Sequence, residues 1–240
     1  MKWILAAALF LYSINLRADI YREEIHLPDN KRIVFVPLGC DCMVALQLRE
    51  QGLRFEAFPF DWNFSFLLDK VIQLLNDDFQ YFLDPDHLKI TSPQEVMNFS
   101  YMIEFKHEGP FFDQQRKTIS SEAYNKYQRR ISRFRDLRNY PGKVIFIRSA
   151  FDYYRFPFHD YGDERMGMIT TAEAMALEKT LERYFPSLDF TLVIINYDTP
   201  ATPPILAIDK VIEYKISSRH KRRSYTEIFN ELLLMFDCKK

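Results

Sequence analysis

The residue types best suited to chemistry in this chain are Cys42, His107, Asp61 and Arg148. A cysteine acts as a nucleophile only as a thiolate, with a base in hydrogen-bond reach and a third group holding that base in place. Cys42 has a setting that favours the thiolate. Ile33 to Val36 is β-branched and aromatic and reads as a buried strand, which Pro37 and Gly39 end. Asp41 is a suitable helix N-cap, and Met43 to Arg49 is helix-forming until Gly52 stops it. Cys42 then falls in the first turn of a helix, where backbone N–H groups lack helical partners and the dipole is positive. Its alternative role is that of a small buried apolar residue.

His107 is the candidate base. Met97 to His107 alternates as one strand, with Phe99, Tyr101, Ile103 and Phe105 on the inner face and His107 at its end on that face. Asp61, between Phe60 and Trp62, is the first candidate to orient the histidine, because a carboxylate among aromatics needs a partner. Asp152 and Asn196 are alternatives that follow the histidine in the chain. The run Pro59-Phe60-Asp61-Trp62 can equally be a structural turn. Arg148 ends a strand, where a guanidinium can clamp a carboxylate or phosphate, and with Trp62 it forms the candidate substrate-binding pair. An ion pair with a nearby aspartate is the structural alternative for Arg148. His159-Asp160 is a rival acid–base pair, and His87, His159 and His220 fit a surface better than a ligand set. No histidine has a short metal-ligand spacing to the cysteines, so no metal or other cofactor is expected.

The elements that must position these groups alternate along the chain. After the helix that Cys42 opens, Ser65 is placed to cap a helix whose stripe is Leu67, Leu68, Val71, Ile72 and Leu75, and residues 77–88 read as loop. Ser121 to Arg138 reads as a long helix with Tyr124, Tyr127, Ile131 and Phe134 inward and its arginines outward. Val144 to Ile147 is a strand, and residues 149–169 form a loop long enough to be functional. Thr170 and Glu173 form a capping box, Phe190 to Ile195 and Val211 to Ile216 are strands, and Ser224 with Glu227 caps a last amphipathic helix. This order predicts an α/β fold, a mostly parallel sheet flanked by helices in a single domain over residues 32–237. Residues 1–18 read as a signal peptide: Lys2 begins it, and an apolar run too short to span a bilayer follows. Export to the periplasm or exterior is the expectation if it is cleaved, and a cytoplasmic or N-terminally anchored protein otherwise.

Several motifs recur in an order that resembles a family of uncharacterised proteins described as papain-like cysteine peptidases (domain of unknown function 1796). They are Leu38-Gly39-x-x-Cys42, Ala45-x-x-Leu48-Arg49-x-x-Gly52-Leu53-Arg54, Pro59-Phe60-Asp61-Trp62 with Ser65, Tyr101-x-x-x-Phe105-x-His107, Arg129-Arg130-x-x-Arg133-Phe134 and Phe146-Ile147-Arg148. The resemblance runs over roughly residues 33–195. It implies a cysteine nucleophile followed in sequence by its histidine, the order Cys42 then His107 has. It also implies the papain-like α+β architecture as the alternative to the parallel sheet. Two positions depart from the pattern: Pro37 stands where the family has a serine, and Cys40 is an extra cysteine.

Composition narrows the function classes. A net charge of -1 and only 6 glycines exclude a strongly basic nucleic-acid binder and argue against phosphate-cradling glycine loops, and the basic run 219–223 has no aromatic interleaving. Three cysteines, two of them one residue apart, do not make a disulfide framework, although a Cys40–Cys238 bridge leaving Cys42 as a thiol is compatible with the spacing. The leading expectation is a thiol-dependent hydrolase or acyltransferase acting on a peptide or other acyl substrate. The alternatives are a non-catalytic α/β domain that binds an anionic glycan or protein partner, and a sugar- or nucleotide-acting enzyme that leaves the thiol idle. The sequence does not specify the oligomeric state.

Overall fold

The computed structural model describes residues 32–93, 95–106, 111–150, 168–198, 204–205, 208–217 and 221–237. The expected signal segment, His107, His159, Asp160, Asp152, His220 and Cys238 lie outside the described residues.

The continuous apolar runs do form the central sheet. Strands β1 (Ile33–Pro37), β7 (Lys143–Ser149), β8 (Asp189–Tyr197) and β9 (Val211–Ile216) lie side by side in that order, all parallel. Phe35 is paired with Ile145 and Val36 with Phe146, so Phe35 and Phe146 point to opposite faces. On the first face Phe35 meets Phe229 of helix α5 (Lys221–Met235), ring centroids 6.2 Å apart. On the other, Phe146 stacks on Phe185, just after helix α4 (Thr171–Tyr184), and meets Phe134 of helix α3 (Ser121–Asp136). Both faces are covered, which is why β7 and β8 are apolar along their lengths rather than alternating. The fold is therefore α/β with a parallel sheet.

The segment between β1 and β7 holds helices α1 (Met43–Glu50) and α2 (Leu68–Asn76), a three-stranded antiparallel sheet of β2 (Leu88–Ser92), β3 (Glu95–Asn98) and β4 (Ile103–Phe105), and the small hairpin β5 (Phe112–Asp113) with β6 (Thr118–Ile119). The single strand expected over 97–107 is instead a hairpin. Asn98 causes the break: fully buried, it donates to the Tyr81 and Phe82 carbonyls and accepts from the Tyr101 N–H. Met102 then takes a positive φ of 49° to reverse the chain, and Phe99 is left 44% exposed instead of sharing the buried face of Tyr101, Ile103 and Phe105.

Three other local expectations shift. Helix α2 starts at Leu68 with Leu67 at its N-cap, so Ser65 is not its cap. Helix α5 begins at Lys221, which puts Ser224 inside it. In α3, Tyr127, Ile131 and Phe134 are buried, but Tyr124 is exposed and Arg130 turns inward over the Tyr127 ring. The Thr170–Glu173 capping box is complete at the start of α4.

Candidate functional site

The site is built on the loop that leaves the C-terminal end of β1. Leu38 still pairs its N–H with the Ile147 carbonyl, and the chain then turns through Gly39 at φ 82° and Cys40 at φ 88°. Gly39 is required here, because a Cβ on it would stand 2.1 Å from the Ser65 Oγ. Cys40 tolerates the left-handed turn at a cost, since a non-glycine residue with positive φ is strained. The turn is held from its far side by Ser65. The Ser65 N–H donates to the Cys40 carbonyl at 2.8 Å, and the Cys40 N–H donates to the Ser65 Oγ at 3.1 Å.

Arg148 closes this arrangement. It projects from β7, adjacent to β1, and its guanidinium is fully buried. Nη1 donates to the Leu38 carbonyl and the Ser65 Oγ, both at 3.0 Å; Nη2 donates to the Ser65 carbonyl at 2.6 Å and the Phe66 carbonyl at 3.1 Å. Nε has no hydrogen-bond partner. All four bonds go to neutral oxygens, so Arg148 spends its fork on fastening the 38–42 loop to the 65–66 segment rather than on presenting charge to solvent. Burial pushes its pKa down, opposed by Cys40 first and then by Asp41 and Glu173.

Cys42 follows directly. It occupies the N-cap of α1 with α-region dihedrals, and its carbonyl accepts from the Leu46 N–H at 2.9 Å. Asp41, the residue expected to cap the helix, accepts from the Met43 N–H at 2.9 Å, so it caps from one position earlier than the N-cap. Cys40 is fully buried, whereas Cys42 is partly exposed, and both are thiols. The cysteine with solvent access is thus the one at the helix start.

Asp61 is fully buried and bound by Arg54, with Nε at 2.8 Å and Nη2 at 2.6 Å from the same oxygen, Oδ2. Oδ1 has no hydrogen-bond partner. Burial pushes the carboxyl above its ordinary range, against the opposing pull of Arg54 and, more weakly, Arg130. Trp62 next to it is partly buried and lies between two guanidinium groups, Arg49 and Arg54, each 5.2 Å from the ring centroid. Arg49 and Arg54 belong to the C-terminal end of α1 and the turn after it. That end is about 10 Å along the helix from Cys42 at 1.5 Å rise per residue.

The 59–65 segment also reaches the antiparallel sheet. Phe64 and Glu104 exchange backbone hydrogen bonds at 2.9 and 2.8 Å as an antiparallel bridge. Because the bridge is antiparallel, β4 runs from the Ser65 side toward the Asp61 side, and it ends at Phe105, two residues before His107. Asn63 fixes this turn: it donates to the Pro59 carbonyl and accepts from the Tyr127 hydroxyl. Asn196, an alternative orienting residue, is committed elsewhere. It bonds both the N–H and the carbonyl of Ile169 and donates to Glu213. His87 bonds the Ser100 Oγ and lies 3.8 Å from Asp84, away from the cysteine loop in sequence and in partners. Among the described residues no group of three or more histidine, cysteine, aspartate or glutamate side chains has the arrangement of a metal site.

The role of Ser65 is not legible from local sequence, where a serine before an apolar run signals a helix cap. The burial of Arg148 has a readable signal: it lies within the apolar strand KVIFIRS, where a side chain on a two-sided buried strand must find internal partners.

Residues 33–200 match the model of the family described as "Putative papain-like cysteine peptidase (DUF1796)". The chain belongs to this family. One curated relative is Uncharacterized protein R408 of Acanthamoeba polyphaga mimivirus, 28% identical over 138 residues, which cover 49% of this chain and 62% of the viral protein. The chain thus spans less than two thirds of that relative's length. No solved structure matches the chain. The family match takes in the whole of the braced loop, Asp61, the hairpin, Arg148 and all of β8. In this family member the parallel sheet is the observed architecture, and the papain-like α+β alternative is not.

Proposed function

We propose that the protein is a thiol-dependent hydrolase or acyltransferase of the peptidase type, acting on a peptide or another acyl substrate. Cys42 is the nucleophile, His107 the general base, and Asp61 the residue that orients the imidazole. The observation that carries this reading is the setting of Cys42: partly exposed, at the N-cap of α1, in a loop fixed on both sides by Ser65 and Arg148. A nucleophile must be held rigidly and remain reachable, and the positive end of a helix favours its anion.

In this scheme His107 takes the Cys42 proton, and the thiolate attacks the acyl carbonyl carbon. The oxyanion is assigned to backbone N–H groups at the helix start, those of Cys42 and a neighbour in the turn. The leaving group departs with the proton from His107, and a water or a second acceptor releases the acyl group from sulfur. The unpartnered Oδ1 of Asp61 is the acceptor assigned to the imidazole N–H. Trp62, flanked by two arginines, is assigned to the substrate, and Arg148 to holding the nucleophile's loop.

Cys42→Ser tests this assignment. Against whichever ester or peptide of a chromogenic panel the wild type turns over, the variant is expected to lose roughly three orders of magnitude in rate or more. Its circular dichroism and urea midpoint stay those of the wild type. Retained turnover removes Cys42 from the mechanism.

A further inference from the structure

We infer that Cys40 is a resolving thiol for Cys42, so that the loop is a redox-active Cys-x-Cys pair as well as a nucleophile's seat. The inference rests on the reading of Cys42 as a reactive thiolate. Three observations carry it.

The first is reach. Cα atoms two residues apart in a chain are at most about 7 Å from each other, and disulfides form at Cα separations of roughly 4.4–6.8 Å. The chain turns tightly at this point, with Gly39 at φ 82° and Cys40 at φ 88° leading into the helical dihedrals of Cys42. The chain spacing therefore holds the two Cα atoms within about the span that a disulfide bridges.

The second is the division of exposure. Cys42 is partly open to solvent while Cys40 is fully buried. An oxidant meets Cys42 first, and Cys40 is shielded from it. The third is charge. A resolving thiol attacks as a thiolate, and a neighbouring cation favours that form. Arg148 is fully buried and hydrogen-bonded to neutral oxygens, its Nε carries no partner, and Cys40 is the acidic group that acts on it most strongly. Its Nη1 bonds the same Ser65 Oγ that accepts the Cys40 N–H, which sets the guanidinium beside the resolving residue.

The oxidant is a hydroperoxide. The Cys42 thiolate attacks its terminal oxygen and the O–O bond breaks, leaving a sulfenic acid on Cys42 and an alkoxide or hydroxide that picks up a proton. The Cys40 thiolate then attacks the Cys42 sulfur and expels hydroxide, which leaves as water. The product is a Cys40–Cys42 disulfide, in which Cys42 is no longer a nucleophile. A dithiol reductant returns both thiols by exchange, aided by the strain of so small a ring.

The test is a mass analysis of the full chain after stoichiometric hydrogen peroxide. Both cysteines fall in one tryptic peptide, Ile33 to Arg49, because no lysine or arginine lies between its ends. The expected result is loss of two hydrogens from that peptide, loss of Cys42 alkylation, and recovery of both by dithiothreitol. In Cys40→Ser, the sulfenic acid is expected to persist on Cys42, to be captured by dimedone, and to advance to the sulfinic acid. The wild-type mapping stands even if that variant folds poorly. A Cys42 that alkylates readily as a thiolate yet ends as sulfinic acid in the wild type, or that pairs with Cys238, overturns the resolving role and leaves the hydrolase reading intact. A Cys42 inert in the native protein overturns both.

Discussion

Arg148→Ala is expected to destabilise the protein by about 3–5 kcal/mol. The reason is the number of acceptors that one guanidinium serves. Leu38, Ser65 and Phe66 each give it a carbonyl, and Ser65 adds its hydroxyl. With the guanidinium gone, the Ser65 Oγ keeps only the Cys40 N–H, the buried Leu38 and Ser65 carbonyls lose the donor it gave them, and each buried acceptor left short carries its own desolvation penalty. The loop from Leu38 to Cys42 also loses its side-chain tie to β7 and keeps only the Leu38 N–H bond to the Ile147 carbonyl. Arg148→Lys keeps the charge but replaces a planar fork with a point donor, which cannot serve both sides of the loop, so it is expected to recover only part of the loss. Urea midpoints of the wild type and the two variants check this. A change below about 1 kcal/mol in the alanine variant would mean that the loop is fixed by other contacts.

Arg54→Ala is expected to cost a similar amount at neutral pH, and most of that cost disappears in acid. Asp61 has no solvent exposure and Arg54 is its ion-pair partner. Removing one member of a buried pair leaves the other charge uncompensated, at about 3–5 kcal/mol. The direction with pH follows from protonation. Burial already raises the Asp61 pKa above its ordinary 3.8, and without Arg54 it rises further. A carboxyl whose folded pKa exceeds its unfolded pKa binds more protons in the folded state, so its penalty is full above the folded pKa and absent below the unfolded one. The stability gap between Arg54→Ala and wild type should therefore be widest near neutrality and narrow as pH falls toward 3.8. Adding Asp61→Asn removes the ionisable group and should flatten that dependence. A gap that stays constant with pH would place the cost in lost packing against Trp62 rather than in the carboxylate.

Much of the architecture was readable because its strands are unbroken apolar runs. β1, β7 and β8 are buried on two faces, a condition that writes itself into Val, Ile and Phe content without needing partners to be known. The start of α1 and the capping box at Thr170 were readable for the same reason: both are local. The failures that bear on the site are long-range. Asn98 breaks an alternating strand by bonding carbonyls 16 and 17 residues away. Ser65 leaves its cap position to hold Cys40, 25 residues earlier. Arg148 finds its acceptors 82 to 110 residues away. Asp61 is recognisable as a carboxylate in need of a partner, but its pairing with Arg54 depends on how the turn after α1 folds back. Polar side chains that bond across the fold carry no local pattern, and these are the ones that shape the site.

The proposed function requires Cys42 to be a thiolate activated by His107. Alkylation by iodoacetamide across a pH series, read cysteine by cysteine by fragment mass spectrometry, tests it most directly. Cys42 is expected to react with a midpoint well below the ordinary thiol value of about 8.5, and His107→Ala to raise that midpoint toward it. A Cys42 that reacts only above that value, or only once the protein is unfolded, would contradict the account and leave it a structural residue at the start of α1.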